Sequence, residues 1–364
     1  MCASAIMQDD VQLVSFKASL ERDDGGGRRV RAFQRALIDC GVEVNEVGVG
    51  AGAISGSVSR NDSVIRQLKR RLLPVPLRFP ISRELAPVEG SVRAISLCPG
   101  THRWAIQNSV ECWVDYPDLW SNYALNAIGE RGLVSRGTCS AQAAVWRRRE
   151  RLELGEADVV TVASWTDKTR LGAAAKWLPT PTHSRKAIPR RQQRRPDKLS
   201  LGMIANFYYP PNRRAFDDLI GIWLPRLAHL DAVLVIAGFG SESLPRVPGV
   251  EIIGEVRDVD EFYDRVDFAL SPILLGGGMK VKVVEAMAFG VPVVASNHSL
   301  DGLPPAIQQA CLTLDEFLRS DPLHRHDPRM RIDVAEELDQ FTIESFATHV
   351  ADLWNGRMTL SKSV

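Results

Sequence analysis

The segment from Gly276 to Asn297 constrains the fold more strongly than any other part of the chain. It begins with three consecutive glycines, Gly276 to Gly278, and continues with apolar residues at helical spacing from about Met279 to Phe289. Gly290 supplies the stop signal of this helix, and Val291 to Ala295 is a short apolar strand. A glycine loop, a helix and a buried strand in this order predict an α/β domain with a parallel sheet.

The same segment has the features of a phosphate site. Glycine residues permit positive φ angles and close approach of a ligand, so their N–H groups can point at an anion. Lys280 and Lys282 fall in the first turn of the helix, where cations are unfavourable unless an anion is bound. Glu285 follows about one turn later, within reach of a ribose diol. The residues alone leave open a flexible loop with solvated lysines and a glutamate that complements the helix dipole.

Length and composition are those of an ordinary two-domain protein. The chain has 364 residues, of which 45% are hydrophobic and 24% charged. No run approaches the ~18 apolar residues of a membrane span, and the first ten residues lack the basic start of a targeting signal. We therefore expect a cytoplasmic protein. The six cysteines show no Cys-x-x-Cys spacing, so neither a metal site nor a disulfide framework is expected.

The charge is divided unevenly along the chain. Residues 1–200 hold 31 Lys and Arg against 21 Asp and Glu, whereas residues 201–364 hold 14 against 23. Much of the basic excess lies in residues 183–198, which also contain Pro189 and Pro196. The sequence therefore predicts four regions: a first domain at 1–178, a basic linker at 179–198, a second domain at 199–330 and C-terminal helices at 331–364.

The basic linker raises the question of an anionic partner. Peripheral contact with an anionic membrane is an open alternative to simple solvation. The segment has no interleaved aromatic residues and no recognisable nucleic-acid motif, so no nucleic-acid partner is expected.

Strands and helices alternate through the second half, which is typical of a parallel sheet covered by helices on both faces. The predicted strands are 199–206, 232–237, 250–253 and 268–271, and the predicted helices are 213–229 and 259–265. Ligands bind beyond the carboxyl ends of strands in such sheets. Asn206 and Gly238 follow two of these strands, so we expect both to lie beside the glycine loop.

Gly238-Phe239-Gly240 also raises the alternative of a dinucleotide-binding oxidoreductase. The fingerprint is poor, because Ser243 stands at the third glycine position. Prolines 245 and 248 also interrupt the helix that would have to receive the pyrophosphate. The sequence therefore disfavours this alternative.

The segment 276–294 resembles the donor-nucleotide segment of retaining GT-B glycosyltransferases of the family 4 type. The signature of that family runs glycine-rich loop, Lys, Glu-Ala-Met-Ala, Gly and Pro-Val-Val, and it stands here at 276–282, 285–288 and 290–294. The resemblance implies two Rossmann-like, doubly wound parallel-sheet domains with a cleft between them and the donor nucleotide in the second domain. The run from Phe341 to Trp354 is similar to the helix that crosses back to the first domain.

The resemblance also implies the reaction. An enzyme of this type transfers a sugar with retention from a nucleotide-sugar to an acceptor hydroxyl, without a metal or other cofactor. The acceptor is a glycan, a lipid-linked intermediate or a small molecule. Lys280 would stabilise the leaving diphosphate as a catalytic residue. The implied donor-binding residues are Gly276, Gly277, Gly278, Met279, Lys280, Lys282, Glu285, Asn206 and Gly238.

Three sites are implied in the first domain. Gly25, Gly26 and Gly27 would form a loop between the strand 11–15 and the helix 28–40, facing the donor phosphate and the acceptor. His102, in a loop after the strand 94–97, and Asp118, after the strand 111–114, would be catalytic. The alternatives are a solvated loop histidine and a helix cap or turn aspartate.

The chain departs from the family pattern at two places. Gly277 stands where many members carry a first glutamate, eight residues before the second one. Phe207 to Pro211 stand where a basic residue usually follows the first donor-domain strand. These changes indicate an altered contact with the donor sugar. A catalytically silent homologue that acts as a binding protein is the alternative.

Overall fold

The computed structural model describes residues 10–16, 25–49, 93–126, 133–183, 198–320 and 334–358. Contacts divide the chain into two compact units, Met1–Pro181 with Ile343–Val364 and Thr182–Thr342. The predicted basic linker falls mainly on residues 184–197, which lie outside the described residues. None of the described helices combines the length and the apolarity that a bilayer crossing requires.

The first unit contains a sheet of six parallel strands in the order β2-β1-β3-β4-β5-β6. The strand β1 pairs in parallel with both of its neighbours, β2 and β3, and parallel neighbours are joined by crossover connections. The strands are β1 (Asp10–Phe16), β2 (Glu43–Val49), β3 (Arg93–Ser96), β4 (Glu111–Tyr116), β5 (Val159–Val162) and β6 (Lys176–Trp177).

Among the described residues of the first unit, five helices accompany this sheet, and the C-terminal helix, Ile343–Met358, packs with them. Phe346 of the C-terminal helix meets Phe33 edge to face, with ring centroids 5.0 Å apart. This buried aromatic pair fixes the C-terminal helix on the first unit. The helices are α1 (Gly25–Asp39), α2 (His102–Asn108), α3 (Trp120–Asn126), α4 (Leu133–Glu156) and α5 (Trp165–Leu171).

The second unit contains five parallel strands in the order β11-β10-β7-β8-β9. The strand β8 reads Ala-Val-Leu-Val-Ile-Ala, and its side chains are buried toward the carboxyl end, as expected for a strand covered on both faces. The strands are β7 (Leu199–Ile204), β8 (Ala232–Ala237), β9 (Val250–Gly254), β10 (Phe268–Ser271) and β11 (Val293–Ala295).

The helices of the second unit are mostly short. The first is followed by a π-helical turn, Leu219–Trp223, and begins with two prolines, which the first helical turn tolerates. The helices are α6 (Pro210–Asp218), α7 (Leu224–Leu227), α8 (Val259–Tyr263), α9 (Val281–Ala288), α10 (Asn297–Leu300), α11 (Pro305–Gln309), α12 (Leu314–Arg319) and α13 (Ala335–Asp339).

The fold corrects three sequence expectations. Gly25, Gly26 and Gly27 form the first turn of α1 and are not a loop, because the buried face of α1, with Val30, Phe33 and Leu37, outweighs the low helix propensity of glycine. The helix α6 begins at Pro210 and not at Arg213. The strand β4 continues through Tyr116, so Asp115 belongs to the sheet and not to the loop after it.

Candidate functional site

The glycine cradle is the loop between β10 and α9 that contains Gly276, Gly277 and Gly278. Gly276 has φ 106° and Gly278 has φ 61°, which are conformations that favour glycine. The next residues are Met279, which is buried, and Lys280, which caps α9. Gly276 and Gly278, with their positive φ angles, and Met279 and Lys280, which lead into α9, therefore form one tight loop.

The side chain of Lys280 binds two backbone carbonyl groups of the cradle. Its Nζ donates to the carbonyl oxygen of Gly277 at 2.8 Å and to that of Gly278 at 3.3 Å. Because the carbonyls are directed toward the ammonium group, Lys280 both carries positive charge at the helix N-terminus and fixes the turn of the backbone.

Lys282 connects the cradle to the loop after β7. Its Nζ donates to Oδ1 of Asn212 at 3.0 Å, and the amide of Asn212 donates to the carbonyl of Asn206 at 2.8 Å. Burial lowers the pKa of Lys282 to about 7, and the charge of Lys280 lowers it as well, whereas Glu285 raises it. Two like charges and partial burial make this place favourable for an anion.

Glu285 is 6% exposed and is held inside the domain. Its Oε2 accepts a hydrogen bond from the hydroxyl of Tyr263 at 3.1 Å, and its Oε1 accepts one from the hydroxyl of Thr182 at 3.4 Å. The ring of Tyr263 is stacked on Phe289, with centroids 4.8 Å apart. The carboxylate therefore sits behind the cradle with two protein hydroxyls, and its contact with a ribose stays a prediction.

Asn206 and Gly238 lie at the carboxyl ends of β7 and β8. Oδ1 of Asn206 accepts from the N–H of Tyr208 at 3.0 Å, which forms a local turn. Gly238 has φ 113°, and a Cβ atom there would lie 2.1 Å from the carbonyl oxygen of Ala205. Glycine at 238 is thus explained by the close passage of two backbone segments, and nucleotide contact by either residue stays a prediction.

Sequence reasoning missed α10, which follows β11 and binds the cradle loop from the other side. Nε2 of His298 lies 3.0 Å from the carbonyl oxygen of Gly276. The hydroxyl of Ser299 donates to the carbonyl of Ser271 at 2.6 Å and accepts from the N–H of Ile273 at 3.2 Å. The one local signal was the Ser296-x-x-Ser299 pattern of a helix cap, in which Ser296 accepts from the N–H of Ser299.

The cradle, both lysines and all five strands of the second unit lie within one family match. Residues 198–316 match the sequence model of the family described as "Glycosyl transferases group 1". The match covers the second unit only. No curated protein matches the chain.

Solved structures extend the similarity to nearly the whole chain. One is the crystal structure of Anabaena Alr3699/HepE in complex with UDP-glucose, 11% identical, with a TM-score of 0.56 over 95% of this chain and 99% of that chain. Another is a glycosyltransferase from Rickettsia africae, 10% identical, with a TM-score of 0.53 over 95% and 98%. A third is the glycotransferase of kitacinnamycin, 13% identical, with a TM-score of 0.53 over 95% and 99%.

The chain has the GT-B fold. Its two parallel-sheet α/β domains confirm the predicted architecture. The group 1 family match and this fold together support a nucleotide-sugar-dependent glycosyltransferase, which is the class of enzyme that the sequence predicts.

His102 is in a different place from the one expected. It begins α2, is fully buried, and places Nε2 at 3.1 Å from the carbonyl oxygen of Asp115 and Nδ1 at 3.4 Å from Oε2 of Glu153. The same carboxylate accepts from Tyr116 and, at 2.7 Å, from Arg149. The imidazole is fully buried within the first domain, and its catalytic role stays a prediction.

The electrostatics of this buried cluster follow from its contacts. Burial raises the pKa of Glu153, but His102, Arg149 and Tyr116 lower it by more, so the net shift is downward. Burial, and then the charge of Glu153, raise the pKa of Tyr116 well above its usual value. The cluster is therefore built around an ionised buried glutamate.

The remaining catalytic candidate of the first domain lies between a strand and a helix. Asp118 is half-buried in the turn before α3, and its catalytic role stays a prediction. Asp115, three residues earlier, is fully buried and accepts two hydrogen bonds from Arg29 at 2.6 and 2.7 Å. Sequence reasoning missed this ion pair, because Arg29 and Asp115 are distant in sequence.

Proposed function

We propose that the protein is a retaining, metal-independent glycosyltransferase of the family 4 type that binds the diphosphate of its nucleotide-sugar donor at the glycine cradle. The observation that carries the proposal is the glycine turn at 276–278, whose carbonyls bind Lys280 at the N-terminus of α9, together with Lys282 in the first turn of that helix. The match of residues 198–316 to group 1 glycosyl transferases supports it.

The main chemical task at this site is stabilisation of the leaving group. When the bond between the sugar and the phosphate breaks, the bonding electron pair goes to the nucleoside diphosphate. The lysine charges and the cradle N–H groups would stabilise that negative charge. With retention, the acceptor oxygen bonds to the anomeric carbon on the face that the phosphate leaves, and the departing phosphate oxygen takes the hydroxyl proton. A separate strong base is then not needed.

Metal independence is proposed from the same charges. Lys280 and Lys282 supply, next to the N-terminus of α9, positive charge of the kind that a bound cation supplies at many phosphate sites. Buried or half-buried ammonium groups interact strongly with a phosphate, because the local dielectric constant is lower than that of water.

The donor and the acceptor are proposed only as classes. UDP is the first nucleotide to test, because the similar Anabaena protein was solved with UDP-glucose. A glycan, a lipid-linked intermediate or a small molecule would serve as acceptor. Cytoplasmic location and peripheral membrane contact through the basic segment at 184–197 stay predictions from the sequence.

The first experiment is calorimetric titration with UDP, GDP, ADP and dTDP in EDTA. The parent, Lys280→Ala and Lys176→Ala would be compared, because Lys176 is an exposed lysine of β6 in the first domain. We expect one nucleotide to bind the parent and the Lys176 variant equally and to bind the Lys280 variant at least tenfold more weakly. Binding that appears only with Mg²⁺ would overturn metal independence, and no binding would overturn the proposed site.

Testing retention requires a transfer product whose anomeric configuration can be determined. The nucleotide-sugar selected by the titration would be incubated with candidate acceptors, and the anomeric configuration of the product would be read by NMR. A product of inverted configuration would contradict retention while leaving the donor site intact.

A catalytically silent homologue that acts as a binding protein is the second candidate. It is favoured by Gly277, which stands at the first glutamate position, and by the engagement of Glu285 with Tyr263 and Thr182. It predicts neither transfer to an acceptor nor slow hydrolysis of the sugar conjugate, and the absence of nucleotide binding would favour it further. Release of free sugar above the rate in buffer, abolished in Lys280→Ala, would exclude it.

A further inference from the structure

The side chains of α10 and of its N-cap residue bind the loop that leads from β10 into the glycine cradle. Ser299 binds the beginning of the loop through Ser271 and Ile273, and Ser296 donates to the carbonyl of Ile273. His298 binds the loop further along, at the carbonyl oxygen of Gly276, 3.0 Å from Nε2. Two side chains of this short helix and that of its N-cap residue, Ser296, therefore hold the backbone that leads from β10 into the cradle.

The contact of His298 determines the direction of a specific N–H group. A trans peptide unit is planar, and its C=O and N–H point in opposite directions. The carbonyl of Gly276 belongs to the same peptide unit as the N–H of Gly277. When His298 holds that carbonyl, the Gly277 N–H points away from His298.

Lys280 does the same for the following peptide unit. Its Nζ holds the carbonyl of Gly277 at 2.8 Å, which directs the N–H of Gly278 away from the ammonium group. A peptide unit between two glycines has no Cβ atom on either side to restrict its rotation. Two side chains, His298 and Lys280, thus fix two consecutive peptide units that would otherwise reorient at little cost.

We propose that His298 is a positioning residue of the donor site: by donating Nε2–H to the Gly276 carbonyl, it holds the Gly277 N–H toward the donor diphosphate. The inference rests on the proposed function, because it assumes that a diphosphate binds at the cradle. Burial and the charge of Lys280 lower the pKa of His298, which keeps the imidazole neutral near pH 7 with its proton on the nitrogen that faces Gly276.

The test compares three variants on this helix. His298→Ala removes the donor, His298→Gln places an amide N–H near the position of Nε2, and Asn297→Ala alters the exposed neighbour as a control. The ligands are UDP, GDP, ADP and dTDP, each with its monophosphate. The nucleotide that binds the parent is then titrated into every variant, and the unfolding of each ligand-free variant is measured.

We expect His298→Ala to weaken diphosphate binding about tenfold, the effect of losing one well-placed hydrogen bond. His298→Gln should bind within about threefold of the parent, and Asn297→Ala should equal the parent. The monophosphate, which lacks the terminal phosphate, should lose less than threefold in His298→Ala.

The outcomes separate the inference from the function on which it rests. If the parent binds none of the diphosphates, the proposed function fails and the inference falls with it. If the parent binds but His298→Ala binds equally well, only the inference is wrong. Equal losses for diphosphate and monophosphate, or no recovery in His298→Gln, would show a general structural role and would also overturn it.

Discussion

Nζ of Lys282 donates a hydrogen bond to Oδ1 of Asn212 at 3.0 Å, and this contact joins the first turn of α9 to the start of α6. The amide oxygen is neutral, so the contact orients the ammonium group without cancelling its charge. Burial and the charge of Lys280 together outweigh the opposing effect of Glu285 on the pKa of Lys282, which is lowered to about 7. A diphosphate bound at the cradle would place negative charge beside Lys282 and favour its protonated form.

Nucleotide binding should therefore take up a proton at Lys282. In the ligand-free protein the pKa of Lys282 is about 7, so at pH 8 its amine is mostly neutral. A diphosphate bound nearby would raise that pKa. The terminal phosphate, with a second pKa of about 6, is already ionised at pH 8 and releases nothing. Calorimetry in buffers of different ionisation enthalpy should show uptake approaching one proton at pH 8.

The uptake at Lys282 has two internal checks. At pH 6, where free Lys282 is already protonated, its contribution should be close to zero. Lys282→Met should remove the uptake at pH 8. An unchanged uptake in that variant would assign the proton to another group and contradict the depressed pKa.

The same pKa shift predicts how stability depends on pH. The pKa of Lys282 in the folded protein, about 7, is below the ordinary lysine value of 10.5, so the unfolded chain binds more protons between these limits. This group therefore makes the free energy of unfolding rise as pH increases from about 7 to 10.5. Lys282→Met should stabilise the ligand-free protein more at pH 6.5 than at pH 10, as measured by urea unfolding. Equal effects at both values would contradict the prediction.

Loss of Lys280 should lower turnover more than it lowers stability. Lys280→Met removes a charge and the anchor of the Gly277 carbonyl, and losing one group that stabilises developing negative charge costs about 100-fold in kcat. Steady-state kinetics with the identified donor would measure it. Lys176→Met is the matched control, because Lys176 is an exposed lysine on β6. A kcat within threefold of the parent would remove Lys280 from the proposed chemistry.

The second unit was predictable because its signals are local. The strands at 232–237 and 268–271 have the predicted bounds, since uninterrupted apolar runs between turn residues mark buried parallel strands. The cradle at 276–282 was predictable from the order of glycines, lysines and an apolar helix. The glycines and lysines proposed to bind the donor there, Gly276 to Lys282, lie within seven positions of one another.

The first domain was less predictable because its features depend on distant contacts. The burial of His102 results from Asp115 and Glu153, which are contributed by β4 and by α4. Gly25 to Gly27 favour a loop when considered alone, and only the buried face of α1 makes them helical. His298 has no local pattern that distinguishes it from a solvated histidine, because its partner, Gly276, lies 22 residues earlier in the cradle loop.

Tyr263 should support the position of Glu285. Tyr263→Phe removes the hydroxyl that donates to Oε2 at 3.1 Å but leaves the ring stacked on Phe289. We expect the free energy of unfolding to fall by about 1–2 kcal/mol, since a buried carboxylate loses a hydrogen bond. Urea unfolding would measure the loss. A change below a few tenths of a kcal/mol would show that Glu285 does not depend on this hydroxyl.

The buried ion pair of Arg29 and Asp115 should be the most sensitive contact of the first domain. Both side chains are almost fully buried, and two hydrogen bonds of 2.6 and 2.7 Å join them. Asp115→Ala leaves the guanidinium unpaired, and breaking a buried pair in this way costs about 3–5 kcal/mol. Arg226 and Asp315 form the matched exposed pair, 2.5 Å apart with side chains 45% and 64% exposed, and Asp315→Ala should cost less than about 1 kcal/mol.

The loss at Asp115 should also reach the C-terminal helix. The guanidinium carbon of Arg29 lies 5.6 Å from the ring centroid of Phe33 and 5.5 Å from that of Phe346, so the ion pair orients a cation between two aromatic rings. Hydrogen exchange at 343–358 should therefore accelerate in Asp115→Ala and remain unchanged in Asp315→Ala. Unaltered exchange together with a large loss of stability would show that the ion pair stabilises the sheet without fixing this helix.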